Sequence, residues 1–326
     1  MKPKVLVTRE VFDETLDYLR QHCEVEDNQA DLPLAPAELA RRLADKSGVL
    51  TCLTDRVDGA LLAAAPGLKV VANIAVGYNN VEVPACTARG IMVTNTPGVL
   101  DDSTADLAWA LILGAARRVT ELESYVRAGE WKGWRLKQWL GVDVHHATIG
   151  IIGMGRIGQA IAKRARGFDM RVVYCNRTRV APEIEQRLEA TRLEKDELLR
   201  QADFVVLQMP YTPETHHLIG ERELALMKPS AILINSTRGG VVDDAALVRA
   251  LEAGTIRAAG LDVFENEPKL NPGFLELKNV VLLPHVGSST EATRRAMAMT
   301  AAKNAVAALS GGIPPNLVNP EARKPA

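Results

Sequence analysis

Residues 148–158 read TIGIIGMGRIG. An apolar run suited to a buried strand leads directly into Gly153-Met154-Gly155-Arg156-Ile157-Gly158, and the QAIAKRARGF that follows has the period of a helix. Strand, glycine turn and helix in that order are the context that gives a glycine motif its meaning. An ordinary βα turn can match G-x-G-x-x-G by chance, but this flanking context argues for more. Each glycine has a physical task. The first permits the tight turn, the second lets a pyrophosphate approach the backbone, and the third lets helix and strand pack closely. The start of the helix offers free N–H groups and the positive end of its dipole to phosphate. The stretch predicts a parallel α/β sheet that binds a dinucleotide.

The remaining chain supplies two such sheets. Apolar, β-branched runs at 4–9, 48–52, 69–74 and 91–94 alternate with helical patterns at 36–44, 58–65 and 83–89 and through Phe12, Leu16 and Leu19. Asp58 is placed to cap its helix. The alternation implies βαβ units and a small α/β domain. The NTPG at 95–98 breaks the pattern. A long helix should begin near 101–103, with acids and a hydroxyl at its front, and a second helical run extends to Val126. From Thr148 the series resumes, with strands at 148–152, 171–175, 204–208, 231–235, 258–263 and 280–283 and a weak one at 188–191. Helices are predicted at 159–166, 195–201 and 244–253, the last closed by Gly254. A final helix covers 291–309. The glycine turn thus lies mid-chain, behind a complete α/β unit. The expected fold is α/β, with a Rossmann-type doubly wound nucleotide domain (99–289) inserted into a smaller flavodoxin-like α/β substrate domain (1–98 plus 290–326). Two crossings, near 97–100 and 287–290, would make a hinge around a cleft.

Composition removes several alternatives. With 326 residues, 47% hydrophobic and 24% charged, the chain has the make-up of a globular protein of two domains. A net charge of −1 gives no electrostatic footprint for nucleic acid. No apolar run approaches the roughly 18 residues of a membrane span, and the MKPKVLVTRE start has no signal-peptide pattern. Cys23, Cys52, Cys86 and Cys175 are scattered without a C-x-x-C, which suits buried thiols in a reducing compartment. A cytoplasmic location and no structural metal are the expectations.

The second strand of the nucleotide domain bears on the cofactor. An NAD enzyme usually ends that strand with Asp or Glu, to hold the ribose 2′-OH. Cys175 occupies the place, followed by Asn176-Arg177-Thr178-Arg179. Two guanidiniums and a hydroxyl suit a 2′-phosphate, so NADP(H) is the preferred cofactor and NAD(H) the alternative. Ligands of open α/β sheets sit beyond the carboxyl ends of the strands. That rule selects Ser236, Thr237 and Arg238 after AILIN, Asp262 with Glu265 and Glu267 after AAGLDV, and His285 after VVLLP. An arginine can hold a substrate carboxylate by forked hydrogen bonds, a histidine can protonate a carbonyl oxygen at neutral pH, and a carboxylate can orient the imidazole. His146, His216 and His217 are rival histidines, read as structural. Trp131, Trp134 and Trp139 crowd a short basic span, which reads better as an arm docking on a partner subunit than as local packing.

These residues carry a resemblance. NIAVGYNNV (73–81), GIIGMGRIG (150–158), the run from MPYTPETHHLIG to STRGGVVD (209–243), AAGLDVFENEP (258–268) and LLPHVGSST (282–290) resemble the D-isomer-specific 2-hydroxyacid dehydrogenases, over about residues 4–320. The similarity is greatest to the glyoxylate/hydroxypyruvate reductases, including the bacterial 2-ketogluconate reductase type. It implies reduction of small 2-keto acids (glyoxylate, hydroxypyruvate, with 2-ketogluconate as a third candidate) to D-2-hydroxy acids. The implied triad is Arg238, Glu267 and His285, with His285 as proton donor. The backbone N–H groups of Val76 and Gly77 would hold the substrate carboxylate. Thr104, Asn176, Arg177, Thr178, Met209, Pro210, Thr215, Ser236, Thr237, Asp262 and Gly287 would join the glycine turn around the cofactor, Asp262 at the carboxamide. The long helix and the aromatic arm would form a homodimer interface, with Trp139 against the neighbour's substrate. Gln208 and Asn79 depart from the common His and Asp of the family. D-3-phosphoglycerate dehydrogenases share the chemistry, though many carry a regulatory domain for which this chain is too short. A cofactor-sensing regulator on the same fold would keep the glycine turn and could keep the triad as a sensor, though a complete triad disfavours that reading. Phosphite or formate oxidation by a relative is a third rival.

Overall fold

The computed structural model describes residues 1–323, so the last three residues of the segment assigned to the substrate domain lie outside the described residues. The chain divides into two compact units, one formed by Met1–Leu100 with the segment from Ser289 onward, the other by Asp101–Ser288.

The first unit is a five-stranded parallel sheet. Its strands are β1 (Lys4–Val7), β2 (Glu24–Asp27), β3 (Gly48–Thr51), β4 (Val70–Asn73) and β5 (Met92–Thr94), in the order β2-β1-β3-β4-β5. That is the flavodoxin-like order. Helices α1 (Asp13–His22), α2 (Pro36–Leu43), α3 (Gly59–Ala64) and α4 (Val83–Ala88) make the crossovers, and Asp58 caps α3 through its bond from the Leu61 amide. The long last helix, Glu291–Leu309, is packed into this unit through Ala298, Ala301, Ala302 and Ala305, small residues that let it lie close on Val5, Val7 and Ala72.

The second unit begins with α5 (Asp101–Ala116) and α6 (Val119–Arg127). Seven parallel strands follow: β6 (Thr148–Ile152), β7 (Arg171–Cys175), β8 (Ala190–Arg192), β9 (Phe204–Leu207), β10 (Ile232–Asn235), β11 (Ala258–Leu261) and β12 (Val280–Leu282). Their order, β12-β11-β10-β9-β6-β7-β8, reverses direction between β6 and β9. This is a doubly wound sheet, whose ligands lie at that switch point. Helices α7 (Arg156–Ala165), α8 (Pro182–Leu188), α9 (Lys195–Gln201), α10 (Glu221–Leu226), α11 (Asp244–Glu252) and α12 (Gly273–Glu276) complete it, and Glu291–Leu309 is α13. Two apolar clusters fill the two faces of the sheet, one around Trp109, Ile149, Ile151 and Tyr174, the other around Val205, Leu207, Leu247 and Phe274.

The α/β class and both parallel sheets match the expectation, and three local readings need correction. β2 was not predicted, because EVED has a single apolar residue and pairs on one side only, with β1. α7 starts at Arg156 rather than Gln159, so the helix begins inside the glycine motif and Gly158 is part of it. Of the four thiols, Cys52 and Cys175 are only part-buried.

Candidate active site

The glycine turn is shaped by backbone. Gly153 has φ +106°, and a Cβ there would stand 2.3 Å from the Gln208 carbonyl oxygen. A Cβ on Gly158 would meet the Gly153 oxygen, also at 2.3 Å. Gly155 differs. It is the N-cap of α7 in extended conformation (φ −78°, ψ −161°), and nothing lies within 4 Å of where its Cβ would be. Two glycines are therefore needed by the fold, while the third faces open space at a helix N-terminus. This cradle fits a pyrophosphate. The Met154 amide donates to Asn176 Oδ1 (2.7 Å), which ties the turn to the end of β7. Arg156 and Ile157 form the first turn of α7.

Beyond β7 the expected pair of guanidiniums is reduced to one. Arg179 donates from Nε and Nη2 to Glu185 at 2.9 and 2.7 Å, and Glu185 also accepts from the Tyr174 hydroxyl. Arg179 thus serves the β7–α8 connection, whereas Arg177 and Thr178 are exposed. Several other residues assigned to the cofactor have their polar atoms engaged within the protein. Thr215 Oγ1 donates to the Pro210 carbonyl and accepts from the Thr212 amide, closing the turn after β9 beside Met209. Ser236 Oγ accepts from Gln208 Nε2 (2.6 Å), and the Thr237 hydroxyl and amide both donate to Asn235 Oδ1.

Three strand ends bring the chemistry together. Arg238 follows β10, and its Nη1 donates to the Thr237 carbonyl at 2.7 Å. His285 follows β12, in the left-handed region at φ +56°. Its Nδ1 is 2.8 Å from Glu267 Oε2, while Glu267 Oε1 accepts the Phe264 amide at 2.9 Å. Burial works to raise the Glu267 pKa, but the His285 contact, the Phe264 amide and the Arg238 charge outweigh it and hold the carboxyl below its ordinary value. Arg238 is pushed down by burial, opposed by Glu267, yet a guanidinium stays charged at any working pH. A Cβ on Gly239 would fall 1.7 Å from the Phe264 oxygen, so the Arg238 turn and the Glu267 loop meet backbone to backbone. Asp262, buried at the end of β11, accepts the Val286 and Gly287 amides at 2.7 and 2.8 Å and so fixes the chain just after His285. Burial raises its pKa despite those amides. Ser103 donates to the Gly287 carbonyl (3.0 Å), and Thr104, buried, lies against Gly287.

The two acids left open after β11 now separate. Glu265 pairs with His217 Nε2 at 2.5 Å, and its amide donates to Asp244, whose carboxyl burial pushes up to about 6. A second His–carboxylate pair thus forms through the acid two residues before Glu267, a contact across 48 residues that no local pattern announces. His216 stacks on His217, and His146 is exposed.

In the first unit, Val76 and Gly77 lie in the turn after β4. On the arm, Trp131 and Trp134 are 63% and 79% exposed, but Trp139 is not free: its ring packs on Tyr125 and under Arg118, with Nε1 buried.

The sequence profile described as D-isomer specific 2-hydroxyacid dehydrogenase, NAD binding domain, matches residues 109–287. The chain belongs to the D-isomer-specific 2-hydroxyacid dehydrogenases. Among relatives of this dehydrogenase, the glyoxylate reductase of Thermococcus gammatolerans is 51% identical, over 99% of this chain and 98% of its own. That of Pyrococcus horikoshii is 50% identical over 99% and 98%. Among solved structures, the NADPH-dependent glyoxylate/hydroxypyruvate reductase of Sinorhizobium meliloti, in complex with NADP and malonate, is 34% identical with a TM-score of 0.89 over all of both chains. The dehydrogenase is an oxidoreductase with an NAD-binding domain of Rossmann type. Among the described residues, no helix is long and apolar enough to cross a membrane.

Proposed function

We propose that this enzyme reduces glyoxylate, hydroxypyruvate and, as a third substrate, 2-ketogluconate to D-2-hydroxy acids, with NADPH preferred over NADH. The observation that carries the reading is the Glu267–His285 contact of 2.8 Å beside Arg238 at one sheet edge. Reduced nicotinamide, when bound, supplies the hydride. Glu267 accepts the hydrogen bond from His285 Nδ1–H and favours the imidazolium, whose Nε2–H then goes to the substrate carbonyl oxygen and leaves the ring neutral. Arg238 polarises that carbonyl and orients the carboxylate. The amides of Val76 and Gly77 hold the carboxylate. Asp262 sets the position of His285 through Val286 and Gly287 as well as serving the carboxamide side. Thr104 and the 153–158 turn belong to the cofactor site, and Thr215, Ser236 and Thr237 shape its floor. The relatives' names support glyoxylate as substrate, and the Sinorhizobium meliloti complex supports NADP.

A cytoplasmic homodimer completes the proposal. Val119, Val126, Trp131, Trp134, Leu136 and Leu140 are all exposed between 119 and 140, more apolar surface than a lone subunit usually leaves in one stretch. Trp139 would reach the neighbour's substrate only from its packed position on Tyr125.

A panel of kcat/KM values over the three keto acids, each with NADH and NADPH, tests the reading. Turnover of glyoxylate with NADPH is the expected result, and no turnover of any of the three refutes it. The cofactor preference rests on Arg177. Arg177→Asp is expected to raise KM for NADPH about tenfold relative to KM for NADH, the equivalent of one charge-assisted hydrogen bond. Equal changes in both would remove Arg177 from the 2′-phosphate.

A further inference from the structure

In the turn after β4, three consecutive carbonyls are all held by donors from elsewhere in the first unit. Ala75 O accepts the Thr96 amide at 2.9 Å. Val76 O accepts Asn95 Nδ2 at 2.9 Å, and Gly77 O accepts Asn73 Nδ2 at 3.0 Å. In a trans peptide the C=O and the following N–H point in opposite directions. Anchoring these carbonyls therefore fixes the directions of the N–H groups of Val76, Gly77 and Tyr78. None of the three is donated to a protein group among the described residues.

The orientation of the Asn73 amide is set by its neighbours. Asn80 Nδ2 faces the carbonyls of Cys52 and Asp55, at 3.1 and 3.0 Å. Its Oδ1 therefore turns to Asn73 Nδ2, while Asn73 Oδ1 accepts from the Thr51 hydroxyl at 3.1 Å. With Oδ1 so committed, Nδ2 is the atom left for Gly77. Asn95 is tied down in turn, because its carbonyl accepts Asn304 Nδ2 from α13. Successive backbone amides aimed outward make an anion-binding concavity. Neutral amide side chains suit the anchoring role. A lysine or arginine there would compete for the anion, and an aspartate would repel both the carbonyl and the anion.

We infer that Asn73 and Asn95 are positioning residues that aim three amides, with Tyr78 N–H as the third donor beyond Val76 and Gly77, at the substrate carboxylate. The inference rests on the proposed reduction of 2-keto acids and adds the device that orients their anionic end. Asn73 is fully buried within β4, so the variant of choice is Asn95→Ala, at a part-exposed position.

Kinetics should compare glyoxylate with methylglyoxal, a neutral dicarbonyl without a carboxylate. Asn95→Ala is expected to lower the ratio of kcat/KM for glyoxylate over methylglyoxal about tenfold, mainly through KM for glyoxylate, as for a weakened hydrogen bond to a charged group. A loss equal for both substrates would mean general loosening of the turn and overturn the inference, as would an unchanged ratio. Calorimetric titration of oxalate into the enzyme with NADP+ gives a second reading, with the oxalate Kd rising by the same factor in the variant. Wild-type protein that turned over no 2-keto acid would refute the functional reading instead. The oxalate titration would still judge the turn, since an equal Kd in wild type and variant overturns the inference and a weaker one in the variant upholds it.

Discussion

His285→Gln should lower kcat for glyoxylate by about three orders of magnitude while the Kd for NADPH stays within about twofold of wild type. Glutamine can occupy the space and still hydrogen-bond Glu267, but it has no proton to give to a developing alkoxide. The geometry explains why the cofactor should not notice. His285 is held by Glu267 on one side and by the Asp262–Val286–Gly287 clamp behind it, and none of those contacts belongs to the glycine turn. Steady-state kinetics with fluorescence titration of NADPH make the check. Near-normal turnover would end the role of His285 as proton donor, and a parallel loss of NADPH binding would mean that the substitution disturbs the sheet edge as a whole.

The second large effect separates two glycines of one motif. Gly153→Ala is expected to destabilise the protein by on the order of 4 kcal/mol, a fall in Tm of about 10 °C for a unit of this size. The new methyl would enter the Gln208 carbonyl at a φ that L-residues avoid. Gly155→Ala should leave Tm within about 2 °C, because its φ and ψ are open to alanine and no protein atom lies near the methyl. It should instead raise the cofactor Kd about tenfold or more, the equivalent of roughly 1.4 kcal/mol, since the space it fills is where a pyrophosphate would approach. Thermal unfolding without ligand and cofactor titration of both variants make the test. Equal Tm losses would mean that the open face at Gly155 is not a ligand site.

Much of this was legible because strand ends are legible. The runs at β6, β10, β11 and β12 are apolar, and the residue that follows each one lands at the same edge of a parallel sheet. Gly153, Arg238 and His285 are therefore grouped by the sequence alone. What escaped notice lacked either a period or a local partner. β2 is a polar edge strand whose place is set by β1. The engagement of Arg179 by Glu185 depends on where α8 sits, and the His217–Glu265 pair joins two loops far apart in sequence. The anchoring of Val76 by Asn95 spans 19 residues between two turns. Side-chain bonds of this kind follow from tertiary placement, and no spacing rule carries them.

The backbone amides of Phe264, Val286 and Gly287 are donated to the carboxylates of Glu267 and Asp262 rather than to carbonyls of the sheet. In deuterium exchange such amides would report on the proposed catalytic arrangement as well as on the fold. Any opening that frees them also releases Glu267 or the residue next to His285. For these three positions exchange and the proposed chemistry draw on the same contacts, so their protection should fall together with turnover in variants that loosen Glu267 or Asp262.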